Sequence, residues 1–191
     1  CSLTATEVND LVEIGTVINQ AEGTITVEMV YEGEGWLGYA FSEGDMIGST
    51  AVIGLPASGD VAIYSLGGKS DELVVLADSQ DALSDATISQ EDGFTAMKFT
   101  LPQSFAGFTV VDGEASPIIW AVGNDSTLTY HGFGNKGDTD LAFSNCREGG
   151  VVAETEAPVA APMAPVVPPT TPVAPPVEAA APPSDAGSGS V

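Results

Sequence analysis

The chain has 191 residues, 43% of them hydrophobic, with 27 acidic against 4 basic side chains and a formal net charge of −23. That is enough for one domain with a real core. The acid excess excludes nucleic acid and anionic membrane surfaces as partners, because both are bound through Lys and Arg that displace counterions, and no run of 18 or more apolar residues offers a segment that would insert into a membrane directly.

The sequence starts at Cys1 with no basic n-region or apolar h-region before it. We expect an extracellular or cell-surface chain; if it is secreted, its signal peptide has already been removed. Cys1 and Cys146 bracket nearly all of the folded-looking sequence. A disulfide between them would close a loop of more than about a hundred residues, worth about 5 kcal/mol in the chain-entropy model, and would imply an oxidising compartment. The alternatives are two unrelated thiols, or a lipidated Cys1 with Cys146 free.

Before Gly150 the hydrophobic period is two. In Thr24–Tyr31, Ile25, Val27, Met29 and Tyr31 alternate with polar residues, which predicts a half-buried strand; Phe94–Leu101 alternates in the same way. Further strands are expected over Leu11–Ile18, Gly35–Ser42, Thr50–Gly54, Asp60–Ser65, Leu73–Ala77, Ala86–Gln90, Pro117–Val122 and Thr139–Phe143, with Gly, Asp, Asn and Ser between them. A helical turn or two is the most that helical period allows, near Ser79–Ser84. Roughly ten short strands at this spacing predict an all-β, antiparallel, immunoglobulin-like β-sandwich. After Gly150 the composition changes: residues 151–191 hold ten of the 13 prolines and no aromatic residue. We divide the chain into a sandwich domain, 1–148, and a disordered Pro/Ala-rich linker or stalk, 149–191, of polyproline-II character. All but four of the acids precede this tail, so the acidity belongs to the domain.

Few residues can carry chemistry. His131 is the only histidine, in Leu128-Thr129-Tyr130-His131-Gly132-Phe133-Gly134, with glycines that let backbone or a flat ligand approach. Met29 and Met97 fall on apolar strand faces, but Met46 stands between two strands, in Ser42-Glu43-Gly44-Asp45-Met46-Ile47-Gly48. Separately, His131 reads as a structural or exposed histidine and Met46 as a cap on the core edge. Together, a thioether and an imidazole in loops are the axial set of a low-spin haem that favours reduced iron. Both axial positions would then be filled, so such a site transfers electrons and does not activate oxygen. Without CxxCH the haem would be non-covalent. A single histidine excludes a multi-His metal site, and chance carboxylate pairs carry no weight among 27 acids. The domain therefore reads as a non-enzymatic electron-transfer or binding domain, whether alone or within a larger redox enzyme.

Gly35-Trp36-Leu37-Gly38-Tyr39-Ala40-Phe41-Ser42, then Met46-Ile47-Gly48, then Ala51-Val52-Ile53-Gly54, resembles the signature of the DOMON family, and Ile119-Trp120-Ala121-Val122-Gly123 followed by Leu128-Thr129-Tyr130-His131 resembles its second half. The resemblance covers roughly residues 1–146. It implies a β-sandwich with one non-covalent haem b at one end and Met46 and His131 as iron ligands. The implied partner is a redox protein or small electron carrier, cationic given this charge, or a fused membrane cytochrome or oxidoreductase domain. The family also has haem-free members that bind carbohydrate or other small ligands, which is the alternative function. Tyr39, Phe41, Tyr130 and Phe133 are candidates for the apolar haem pocket or the core, and Trp36 and Trp120 read as core. Lys136 could pair a haem propionate or sit exposed in a loop, and the basic residues are too few to form an anion site. Asn124-Asp125-Ser126 is a glycosylation sequon or a plain turn.

Overall fold

The computed structural model describes residues 2–132 and 134–146. Cys1, Phe133 and the segment from Arg147 onward lie outside the described residues, and with them the expectations for the tail and for Cys1. Among the described residues no cysteine is free.

Among the described residues thirteen strands form where about ten were expected: β1 (Thr4–Asn9), β2 (Val12–Asn19), β3 (Thr24–Tyr31), β4 (Leu37–Phe41), β5 (Thr50–Leu55), β6 (Asp60–Leu66), β7 (Val74–Leu76), β8 (Ser84–Glu91), β9 (Phe94–Pro102), β10 (Ser104–Phe105), β11 (Phe108–Thr109), β12 (Ala115–Val122) and β13 (Lys136–Ala142). The three unexpected strands are β1, which is largely exposed and has no apolar row to announce it, and the two-residue pair β10 and β11. Strand β13 begins at Lys136, three residues before the expected start, because its first half is polar and joins the sheet through backbone pairing with β12. The helical turn expected near Ser79–Ser84 is an ordinary turn; the described helix is one 3-10 turn, Asp71–Leu73.

Five strands, in order β1-β2-β3-β9-β8, make one sheet and six, β13-β12-β4-β5-β6-β7, make the other; every strand pairing is antiparallel. The period-two pattern sets the register. Ile25, Val27 and Met29 of β3 lie opposite Leu101, Phe99 and Met97 of β9, so one apolar face is presented by both strands. Against it the other sheet turns Leu37, Tyr39, Phe41, Val52, Ile118, Trp120 and Val122, and these residues share one core cluster. Each such side chain contributes about 1.5–3 kcal/mol on burial. Phe143 closes the core beneath Phe41, their ring centroids 6.0 Å apart. A Cβ on Gly54 would overlap the side chains of Ile88 and Met97 from the facing sheet. That accounts for the glycine that ends the Ala51-Val52-Ile53-Gly54 pattern.

Candidate functional site

Strand β4 is buried along its whole length, which alternation alone does not require of a strand at the surface of a sandwich. Leu37, Tyr39 and Phe41 enter the core. Gly38 and Ala40 face the other way, Gly38 paired with Ile53 and Ala121, and Ala40 with Ala51 and Ile119. This row of small side chains makes the floor of a cleft of about 540 Å³ on the outer face of the six-stranded sheet, within the roughly 300–1,000 Å³ range of small-molecule and cofactor sites. A second apolar cluster surrounds it: Trp36, Ala40, Ala51, Ile53 and Leu66, with Met46 and Leu128 packed against them.

Met46 reaches this cleft from a loop built to hold it. Gly44 and Gly48 take positive φ, 110° and 89°, conformations in which L side chains are strained. The hydroxyls of Ser42 and Ser49 both donate to the carbonyl of Asp45, each at 2.6 Å, fixing the peptide that precedes Met46. The Gly48 N–H donates to the Leu66 carbonyl (2.7 Å), and the Leu66 N–H to that of Ser49 (3.0 Å), tying the loop to the end of β6.

His131 lines the same cleft from the segment between β12 and β13 and is 8% exposed. Its Nδ1 lies 2.7 Å from the Gly132 carbonyl, so Nδ1 carries the proton and donates, and Nε2 keeps its lone pair. This is the arrangement by which a backbone acceptor fixes the tautomer of a ligand imidazole. Burial holds the His131 pKa below the ordinary value; the Gly132 hydrogen bond opposes this shift, and the charge of Lys136 reinforces it. The net effect is a neutral imidazole. Trp36 packs edge-on against His131, centroids 6.3 Å apart, and Tyr130 lies against it at 4.8 Å. The Trp36 indole N–H donates to the Thr129 carbonyl at 3.1 Å, and the Gly123 N–H to the Trp36 carbonyl at 2.7 Å. A Cβ on Gly123 would overlap the indole, and one on Gly35 would overlap the Gly123 carbonyl. The glycines of the two sequence motifs thus meet back to back where the tryptophan crosses from β4 to the histidine segment.

The fold brings Met46, His131 and Tyr130 together on the cleft. Phe41 is interior, against Tyr39, Phe108 and Phe143, and is not among the cleft residues. Tyr39 borders the cleft floor but is fully buried with its ring against Phe41 and Phe99; burial raises its pKa far above the ordinary phenol range. Phe133 lies outside the described residues. Trp36 and Trp120, both read as core, are both buried, Trp36 in the second apolar cluster and Trp120 in the main core, and both also border the cleft. Sequence reasoning did not single out Gly38, Ala40, Ala51 and Ala121 as a floor, nor Ser42 and Ser49 as braces. The available signal was the run of small residues on the polar-side register of strands β4, β5 and β12. Lys69 and Lys136 both border the cleft.

Two antiparallel sheets around one core, with an apolar cleft on the outside of the larger sheet, define a β-sandwich. Its fold is that of a cytochrome b domain. The chain superposes on the cytochrome b domain of pyranose dehydrogenase from Coprinopsis cinerea with a TM-score of 0.50 and 11% identity, over 72% of this chain and 81% of that one. For the cytochrome domain of Myriococcum thermophilum cellobiose dehydrogenase the TM-score is 0.47 and the identity 14%, again over 72% and 81%. No protein-family model matches the sequence, and no curated protein matches it.

Proposed function

We propose that the cleft binds one non-covalent haem b with Met46 and His131 as axial ligands, and that the domain passes single electrons outside the cell. The observation that carries this reading is that Met46, the one methionine in a loop among the described residues, and His131, the one histidine of the chain, line the same apolar cleft. The fit rests on the donors and on the shape. The floor of Gly38, Ala40, Ala51 and Ala121 presents no bulk to a flat macrocycle, and His131 keeps Nε2 available because Nδ1 is engaged with Gly132. When bound, a haem between thioether and imidazole supplies a one-electron centre with no vacant position for oxygen. The chain's own residues orient and shelter it. The serine-braced loop holds the Met46 sulfur, the Gly132 carbonyl holds the imidazole tautomer, and Trp36, Ile53, Leu66 and Leu128 exclude water. The apolar floor favours a flat apolar ligand over carbohydrate. The implied partner is a cationic redox protein or carrier.

Titration of purified apo-protein with haemin tests this. We expect a sharp Soret band of low-spin, six-coordinate haem at one equivalent. His131→Ala should lose most of the affinity. Met46→Leu should retain haem in a five-coordinate form with a lower reduction potential. Wild-type spectra from both variants would refute the ligand assignment, and a wild-type protein that takes up no haem would refute the reading itself.

A further inference from the structure

The chain has only four basic residues, and two of them, Lys69 and Lys136, border the cleft. Of the others, Lys98 sits on the five-stranded sheet opposite Glu28, and Arg147 lies outside the described residues. Lys69 precedes the 3-10 turn Asp71–Leu73; Lys136 opens β13, close enough to His131 to lower its pKa. Both side chains are exposed, and neither has an ion-pair partner among the described residues. In a chain with 27 acids, two lysines beside one apolar cleft that pair with no carboxylate among the described residues are available to a ligand's anionic groups. Asp71 and Asp138, two residues further along each segment, border the same cleft. Each stands two residues from a lysine and offsets part of its charge, so the gain from a ligand carboxylate is of the modest, screened kind.

We infer that Lys69 and Lys136 make the cleft selective for a flat apolar ligand that bears carboxylates, each lysine receiving an anionic group at the cleft mouth. This rests on the haem reading, and for haem b the groups received are the propionates. Solvent reaches both ammonium groups, so each pair is of the weak, partly screened kind, and the two together are worth about tenfold in affinity.

The test compares haemin with haemin dimethyl ester, which has the same macrocycle and iron but no free carboxylate. Apo-protein is titrated with each at about pH 8, where histidine is neutral with or without a neighbouring lysine. Wild type, Lys69→Gln, Lys136→Gln and the double variant are compared by Soret absorbance and quenching of tryptophan fluorescence. We expect the wild type to bind the diacid about tenfold more tightly than the diester, with the preference shrinking as salt is raised. Each single variant should lose part of it, and the double variant should bind both ligands alike, at the wild-type affinity for the diester. Equal wild-type affinities for the two ligands, or a double variant with the full preference, would overturn the lysine assignment and leave the haem reading standing. Failure of the wild type to bind either ligand would overturn both.

Discussion

His131 shows how a single residue acquires its chemistry from its neighbours. In a solvated loop an imidazole is half protonated near its ordinary pKa of 6.5 and offers either nitrogen. Here burial and Lys136 favour the neutral form, and the Gly132 carbonyl selects the tautomer. The same environment makes stability depend on pH. Because the folded pKa lies below the unfolded one, the unfolded chain binds the proton first, and stability falls as pH drops below about 6.5, levelling off under the folded pKa. We expect the denaturation midpoint of apo-protein, referenced to His131→Gln at each pH, to be constant above neutrality and to decline on the acid side. The reference cancels the many carboxylates that titrate lower. A wild-type minus variant difference that stays flat from about pH 7.5 to 4.5 would contradict the neutral assignment. Haem uptake should weaken over the same interval, since a protonated imidazole cannot ligate a metal.

At the level of elements, β4 and the loop that follows it do most to create the site. A strand that buries both faces places large residues on one side and small ones on the other, and in β4 this separates core from cleft. The loop is then closed by two serine hydroxyls on one carbonyl. Each such hydrogen bond is worth about 0.5–1.5 kcal/mol. Ser42→Ala with Ser49→Ala should therefore cost about 1–3 kcal/mol if the two contribute independently, leaving the strand core intact. Its sharper consequence is local: with the Asp45 peptide released, the reduction potential of bound haem should fall and a five-coordinate fraction should appear. Urea melts and spectropotentiometry check the two effects separately. An unchanged potential beside a normal stability loss would mean the serines brace the fold without positioning Met46.

For the whole molecule, charge is the dominant feature. With all but four of the chain's 27 acids and all four of its bases before the Pro/Ala-rich tail, the domain carries a negative field that draws cationic partners inward and repels anionic ones, within a range set by the Debye length of about 10 Å at 0.1 M salt. Reduced haem-loaded protein should pass electrons faster to a small cationic oxidant than to an anionic one of equal driving force, and the gap should narrow as ionic strength rises. Stopped-flow oxidation with both oxidants measures this. A ratio of rates indifferent to salt would exclude electrostatic steering.

The sequence by itself determined the strands with a strong alternating row. Thr24–Tyr31 occupies the same residues in both views, and β9 differs by a single residue, because period-two burial is written into consecutive side chains. It also singled out Met46 and His131, whose loop settings depend on local glycines. What it could not specify were elements held by backbone pairing alone, such as β1 and the polar start of β13, since main-chain hydrogen bonds leave no mark on side-chain pattern. Nor could it specify which face a tryptophan takes: Trp36 reads as core by hydrophobicity and is buried in the second apolar cluster, beside the cleft, because Gly123 and Thr129, far away in the chain, receive it. The cleft itself is a tertiary object. Its floor is assembled from β4, β5 and β12, Met46 and His131 reach it from two loops far apart in the chain, and Lys69 and Lys136 border it only when the chain has folded.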